Sequence, residues 1–207
     1  MTLVLHEHPF AAYCWKPLIA FYDSGVPFER VNIGSDEDRA RLTELWPTGN
    51  IPVLVDDGLV LGEASVIVEH VTPELVTGLD VRLWDRLVES QVMTPMQKIV
   101  ADSLRPDDAR DPFGVSEARA TLDRAYPILE AQLTDAWLVG PTFSLADCCA
   151  APALHYANVV HRWAPEAYPR LTAYHGRLEA RPSVKRVIDE ARFFREFFPL
   201  GWPDHVK

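Results

Sequence analysis

The sequence changes character near residue 78, and this change constrains the fold more than any other feature. Up to residue 71, short apolar runs alternate with segments of helical spacing, in the order strand, helix, strand, helix, strand, strand, helix. Beyond Gly78, apolar residues recur only at helical spacing. The pattern predicts a small α/β domain over residues 1–74 followed by an all-helical domain over residues 80–207.

Turn and cap residues predict the limits of the first elements. A strand predicted at residues 2–5 leads into a helix that begins at Ala11 and ends at Gly25, a residue type common just after helices. Ser35 and Asp38 have the spacing of a capping box, which predicts that a second helix starts there. Both helices therefore flank strands of the same small domain.

The rest of the chain continues this division. An Asp-Asp-Gly turn predicts a hairpin between strands at residues 51–55 and 59–61, and a third helix follows. Residues 79–104 predict one long helix that bends at Pro95, because proline removes a backbone hydrogen bond. Further helices are predicted around residues 122–133, 145–161, 171–178 and 182–191.

Charge and cysteine content narrow the possible partners and location. The formal net charge is −10, which argues against binding to the phosphate backbone of a nucleic acid. We find no secretory signal and no apolar run near the roughly 20 residues that a membrane helix needs. The three cysteines, Cys14, Cys148 and Cys149, are odd in number and form no disulfide framework. These features predict a cytoplasmic protein without a membrane or nucleic-acid partner.

Three segments carry the main functional signal. Residues 46–54 (WPTGNIPVL) place Pro52 at the start of a strand, where a missing N–H is tolerated. Residues 61–67 (LGEASVI) begin a helix, whose free N–H groups and dipole offer a seat for a carboxylate. Residues 143–148 (FSLADC) hold a serine and an aspartate at capping-box spacing. In this order, the segments resemble the cytosolic glutathione S-transferase superfamily, as a bacterial-type member with an altered active-site motif.

The resemblance covers essentially the whole chain and implies both architecture and activity. It implies a thioredoxin-like N-terminal domain that binds reduced glutathione as a cosubstrate, and a helical domain that lines a site for a small apolar electrophile. It further implies a homodimer that acts in detoxification, without a metal. Conjugation of glutathione to the electrophile is the expected reaction.

The resemblance also implies roles for particular residues. Ile51, before a cis-proline at Pro52, would pair through its backbone with the cysteinyl part of glutathione, like an added strand. Glu63 and Ala64 would hold the γ-glutamyl end at the helix start, and Ser65 would add a hydroxyl. Other residues expected beside the tripeptide and its thiol are Asn50, Phe10 and Ala11.

Two alanines depart from the family pattern. Ala11 stands where many relatives carry a hydroxyl or thiol that stabilises the glutathione thiolate, and Ala64 replaces a serine that holds the γ-glutamyl carboxylate. Three groups could take the place of the side-chain donor that is missing at Ala11: the backbone donors near Ala12, the phenol of Tyr13, or the thiol of Cys14. If Cys14 is the active thiol, the reaction would be disulfide exchange. Alternatively, Cys14 is a buried residue that only packs in the core.

The second half of the long helix is expected to line the electrophile site. Met96 and Val100 lie four residues apart on an apolar stripe, which is also consistent with ordinary core packing. Arg105 and Phe113 are expected near the edge of the same pocket. The aromatic tail at residues 193–202 either closes over a substrate or packs back on the helical domain.

No metal site is predicted. His6 and His8 share one face of a strand, but a metal site needs further ligands that the sequence does not place. The other histidines show no catalytic spacing: His155, His161 and His175.

Three functions are therefore weighed. The first is a glutathione transferase. The second is a glutathione-dependent reductase or isomerase on the same scaffold, with Cys14 or bound glutathione as the active thiol. The third is a non-catalytic binding module, which the alanines at positions 11 and 64 favour. A fold by itself does not choose among these functions.

Overall fold

The N-terminal part of the chain forms a four-stranded mixed sheet. A computed structural model describes residues 3–206, so Thr2 of the first predicted strand lies outside the described residues. The strands run in the order β2-β1-β3-β4, with β1 parallel to β2 and the other neighbours antiparallel. Their bounds are β1 Leu3–Glu7, β2 Phe28–Asn32, β3 Val53–Asp56 and β4 Leu59–Leu61.

Helices cover both faces of this sheet. Successive residues of β3 point to opposite faces, as strand geometry requires. Leu54 joins the large core beneath α1 and α3, whereas Val53 packs with Leu42 of α2 in a smaller cluster. The helices are α1 Ala12–Ser24, α2 Asp36–Leu45 and α3 Ala64–Val71. The predicted thioredoxin-like domain is therefore confirmed, as are the Gly25 cap of α1 and the Ser35–Asp38 capping box of α2.

The predicted long helix is present, with an irregular turn in its middle. It consists of α4 (Leu79–Val88), a π-helical turn (Glu89–Met93) and α5 (Thr94–Ser103). In that turn the N–H of Thr94 donates to the carbonyl of Glu89, one residue further back than in an α-helix. The interruption expected at Pro95 thus takes the form of a π-helical turn directly before it.

A buried helix, α7 (Leu145–Val160), lies at the centre of the helical domain. Its start carries the predicted capping box, in which Asp147 accepts a hydrogen bond from the Ser144 N–H at 2.9 Å. α1 packs against α7 and α9, so one continuous core joins the two parts of the chain. The remaining helices are α6 Pro112–Gln132, α8 Pro169–Ala180 and α9 Pro182–Ala191, and a 3-10 segment at Arg192–Phe197 follows.

Within residues 3–206, no helix combines the length and the apolar character needed to cross a bilayer.

Candidate functional site

Two adjoining cavities open where the sheet domain meets the helical domain. The first, which we call the polar cavity, measures about 490 Å³ and lies against the starts of α1 and α3. The second, the apolar cavity, measures about 660 Å³ and lies between the start of α1, helix α5 and the C-terminal tail. They share a wall formed by Ala11, Arg39, Ile51 and Gln97. A molecule in one cavity can therefore reach a molecule in the other.

The start of α1 forms part of the shared wall. The N–H of Ala11 donates to His8 O at 2.9 Å, and the N–H of Cys14 donates to Ala11 O at 2.9 Å. The N–H groups of Ala12 and Tyr13 belong to the first turn, where no intrahelical acceptor is available to them. Because these donors sit at the positive end of the helix dipole, this point suits a negatively charged atom.

The peptide bond between Ile51 and Pro52 is cis, as the resemblance implied. It lies just before β3, and Ile51 lines both cavities. Asn50 and Pro52 line the polar cavity beside it. The backbone of Ile51 is thus placed where an extended ligand could pair with it.

The start of α3 forms the opposite end of the polar cavity, with Glu63 and Ala64 in its lining. Glu63 adopts φ 66° and ψ 110°, a left-handed conformation that residues with side chains rarely adopt. Such backbone strain is concentrated at ligand sites, where the surrounding structure holds it in place. The first N–H groups of α3 have no intrahelical acceptor, so a helix start at this position suits a carboxylate.

Ser65 departs from its expected role. Its hydroxyl accepts a hydrogen bond from Lys16 Nζ at 2.6 Å and donates to Asp85 Oδ2 at 2.8 Å. Ser65 lines neither cavity. The expectation that this hydroxyl assists ligand binding is therefore corrected: a buried cation and a carboxylate hold it away from the cavity.

Tyr13 and Cys14, the two side chains considered as donors, have different environments. Tyr13 lines the polar cavity and is half-buried; burial raises the pKa of its phenol, so the hydroxyl keeps its proton at neutral pH. Cys14 is fully buried, and burial raises the pKa of its thiol. Of the two roles left open for Cys14, the structure supports packing, because an inaccessible neutral thiol is a poor nucleophile.

Side chains from three elements line the apolar cavity. Met96 and Val100 lie in this lining, together with Leu104. Phe10, which was expected beside the tripeptide, lines this cavity and not the polar one. Arg105 and Phe113 do not line it. Arg105 Nη1 lies 3.5 Å from Asp102 Oδ1, and Phe113 is 73% exposed. Their expected role is corrected: α5 ends at Ser103, and the lining contributed by this part of the chain stops at the next residue, Leu104.

The aromatic tail combines both roles considered for it. Phe198 and Trp202 pack around Phe10, with ring centroids 5.9 and 6.0 Å from it. Phe197, Phe198 and Pro199 also line the apolar cavity. The tail therefore packs on the protein and closes one side of the cavity at the same time.

Several lining residues were not identified from the sequence. Arg39 lies on the exposed side of α2 and resembles an ordinary surface cation, yet it reaches both cavities. Trp46 lines the polar cavity because Gly62 has no side chain; a Cβ there would lie 2.3 Å from the indole. Glu89 and Gln97 also belong to this set, and their helical spacing carries no signal that separates them from surface residues.

His8 contributes a neutral imidazole to the apolar cavity. Its Nδ1 accepts a hydrogen bond from the Phe10 N–H at 3.1 Å, which places the proton of the neutral ring on Nε2. Burial and, to a lesser extent, the charge of Arg39 lower its pKa. The charged group in the lining of this cavity at neutral pH is therefore Arg39.

Comparison with known proteins agrees with this architecture. Residues 5–73 match the family model "Glutathione S-transferase, N-terminal domain", and residues 92–182 match "Glutathione S-transferase, C-terminal domain". Glutathione S-transferase 2 of Saccharomyces cerevisiae is 24% identical over 210 residues, covering 90% of each chain. A stringent starvation protein A homolog of Haemophilus influenzae is 24% identical over 197 residues, covering 92% of each chain.

A solved structure shows the same fold. It is a glutathione S-transferase of Methylobacillus flagellatus KT with glutathione bound, with a TM-score of 0.80 and 21% identity. The match covers 90% of this chain and 98% of that chain. The fold defines a two-domain protein, with a thioredoxin-like first domain and a helical second domain. The two cavities lie where these domains meet. The chain belongs to the cytosolic glutathione S-transferase superfamily.

Proposed function

We propose that this protein binds reduced glutathione in the polar cavity and conjugates it to a small apolar electrophile in the apolar cavity. The observation that carries the proposal is the wall that both cavities share at the start of α1. A sulfur atom placed there faces the first-turn N–H groups of α1 and has direct access to the apolar cavity. The assignment of glutathione rests on family membership and on the shape of the polar cavity.

The polar cavity offers a complementary partner to each end of the tripeptide. The backbone of Ile51 pairs with the cysteinyl unit, and the N–H groups at the start of α3 receive the γ-glutamyl carboxylate. The carboxylate of Glu63 is available to the γ-glutamyl ammonium group, and the guanidinium of Arg39 to the glycyl carboxylate. Glu89 also lines this cavity, but its two oxygens are paired with Lys16 and Arg86. This arrangement uses every charged group of glutathione.

The reaction requires the thiolate form of glutathione. A free thiol has a pKa of about 8.5, and donors at a helix start lower it. The first-turn N–H groups of Ala12 and Tyr13 supply this stabilisation in the absence of a side-chain oxygen at Ala11. The thiolate then attacks the electrophilic carbon, a C–S bond forms, and the electron pair leaves with the departing group or moves onto an adjoining acceptor.

The alternatives differ in how well the structure supports them. A reductase that uses Cys14 has no accessible thiol at that position, whereas glutathione itself as the active thiol fits the same polar cavity. A binding module is supported by the alanines at positions 11 and 64 and by the likeness to a stringent starvation protein A homolog. Glutathione binding and turnover separate the three functions.

Calorimetric titration with reduced glutathione tests the proposal. We expect a dissociation constant in the roughly micromolar to low millimolar range for the unmodified protein. Ala64→Ser restores a hydroxyl at the start of α3, and we expect it to tighten binding by about ten- to hundredfold, as a hydrogen bond to a charged group does. Ala101→Ser, on the exposed side of α5, serves as the matched control and should leave binding unchanged. If neither the unmodified protein nor Ala64→Ser binds glutathione, the binding-module function replaces the transferase.

The phenol of Tyr13 is a second expected contributor. In Tyr13→Phe, loss of the hydroxyl should raise the pKa of the bound glutathione thiol and lower kcat/KM about tenfold or more at neutral pH. The rising limb of the pH–rate profile should shift to higher pH, because the thiolate then forms only at higher pH. Unchanged turnover and an unchanged profile would leave the backbone N–H groups as the donors.

We also propose a homodimer. Val66 of α3 and Leu79 and Leu83 of α4 are exposed apolar side chains, with Leu79 81% exposed. The two helices are adjacent, since Arg82 Nη2 lies 3.0 Å from Glu69 Oε2. Sedimentation analysis should give twice the chain mass of 23.3 kDa, and Leu83→Glu should shift the equilibrium toward the monomer. A monomer at tens of micromolar unmodified protein would contradict this.

A further inference from the structure

Three metal-ligating side chains meet at one point between α7 and α8, outside both cavities. They are His155 of α7 and His175 and Glu179 of α8. We propose that these residues form a binding site for one divalent transition-metal ion of the Zn²⁺ or Co²⁺ type. The proposal goes beyond glutathione chemistry and is independent of it.

The distances fit a common centre. His155 Nδ1 lies 2.9 Å from Glu179 Oε1, and His175 Nε2 lies 3.4 Å from the same oxygen. The three ligand atoms all lie within 4.8 Å of one another. Ligands that hold Zn²⁺ at about 2.0–2.2 Å lie roughly 3–3.5 Å apart around a tetrahedral ion. A small movement of the side chains therefore converts this arrangement into a coordination shell.

Hydrogen bonding accounts for one histidine and leaves the other unpaired. His155 Nδ1 is within hydrogen-bond distance of the carboxylate. Among residues 3–206, however, His175 Nε2 is buried and has no hydrogen-bond partner, although it is directed toward Glu179 Oε1. Buried polar atoms nearly always have a partner, so this nitrogen is the observation that points to a ligand.

The surrounding residues hold the imidazoles in place. His155 packs between Trp15 and Trp202, with ring centroids 5.2 and 5.8 Å away, and His175 meets the edge of Trp163 at 5.2 Å. His175 and Glu179 are four residues apart on α8 and therefore share one face of that helix. A site on rigid helices needs little reorganisation to bind an ion.

The chemistry of the ligand set indicates the class of metal. Imidazole nitrogens suit Zn²⁺, Co²⁺ and related ions, whereas Mg²⁺ and Ca²⁺ prefer oxygen ligands. Glu179 is 36% exposed at its side chain, so water can reach the remaining coordination positions. The charge of Arg195 acts on both His155 and Glu179 and limits the affinity for a cation.

The experiment is a titration of the chelator-treated 207-residue chain with Co²⁺, without glutathione. We expect visible d–d absorption bands that saturate at one ion per chain, and a matching calorimetric stoichiometry with Zn²⁺. His175→Ala and Glu179→Gln should each weaken binding by more than about a hundredfold, beyond the roughly 10–100-fold loss typical of an outer-shell partner. Circular dichroism establishes whether each variant is folded. If His175→Ala does not fold, Glu179→Gln still tests the proposal, because glutamine preserves the shape of the side chain.

His161→Ala is the matched control. His161 also pairs with a carboxylate, since its Nε2 lies 2.7 Å from Asp123 Oδ1, but it lies outside the cluster. This variant should bind Co²⁺ like the unmodified protein. Absence of saturable binding, or equal affinity in the unmodified protein and both cluster variants, would overturn the proposal. Because the titration contains no glutathione, its failure leaves the transferase function standing.

Discussion

Lys16→Met is expected to lower the free energy of unfolding by about 3–5 kcal/mol, the range measured when one partner of a buried ion pair is removed. Lys16 is 1% exposed, and its Nζ lies 2.6 Å from Asp85 Oδ1 and 3.0 Å from Glu89 Oε2. Burial opposes the charge of Lys16, but the neighbouring acidic groups outweigh this effect and hold its pKa above the ordinary value. Without the cation, the buried carboxylate of Asp85 is left uncompensated between the domains, whereas Glu89 keeps its pair with Arg86.

Urea unfolding measures this effect, and two further variants show its origin. Lys185→Met removes the exposed Lys185–Asp189 pair and should change stability little, since exposed pairs contribute little. Adding Asp85→Asn to Lys16→Met removes the unpaired charge and should recover part of the loss. A loss below about 1 kcal/mol in Lys16→Met would show that the Asp85 carboxylate takes up a proton or reaches water instead.

Asp147→Ala is expected to cost a similar amount, about 3–5 kcal/mol. Asp147 is fully buried and accepts hydrogen bonds from Leu138 N–H at 2.9 Å and from the Tyr174 hydroxyl at 2.6 Å, besides capping α7 through Ser144. Loss of a cap costs about 0.5–2 kcal/mol, and each buried donor left unpaired costs about 1–3 kcal/mol. The change therefore affects both the start of the central helix and its packing against α8.

The capping box of α2 provides a matched comparison. Ser35 and Asp38 form the same motif, with the Ser35 N–H donating to Asp38 Oδ2 at 3.0 Å, but at an exposed helix start. Asp38→Ala should therefore lose much less stability than Asp147→Ala in the same denaturant titration, because water can replace the lost partner. Equal losses in the two variants would show that the motif, rather than its burial, determines the cost.

Much of the fold could be predicted because its signals are local in the chain. The αL cap at Gly25, the hairpin at Asp57-Gly58 and the capping box at Ser144 each depend on neighbours within a few residues. Helical periodicity likewise predicted that Met96 and Val100 share one face of a helix, but it did not choose between core packing and a cavity wall. The sequence did not predict that the irregularity before Pro95 is a π-helical turn. A proline indicates where a backbone hydrogen bond is missing, but not which geometry the helix adopts there.

The candidate site was predictable only in part. Ile51, Glu63 and Tyr13 lie in the polar cavity, as the family motifs implied. Arg105 and Phe113 lie outside the apolar cavity because the end of α5 sets how far the cavity wall extends along the chain. Arg39 escaped notice because an arginine on an exposed helix gives no signal until the cavity beside it is known.

The sequence by itself determined the order of elements, their caps and the division into two domains, because periodicity and capping depend on residues close together in the chain. Only the tertiary structure decided which polar groups meet. Ser65 lies 49 residues from Lys16, and His155 lies 24 residues from Glu179, yet each pair is within hydrogen-bond distance. The physical reason is that burial and pairing are properties of the packed core. In the core, desolvation makes an unpaired polar group costly, so side chains that are distant in the chain are held together as partners there.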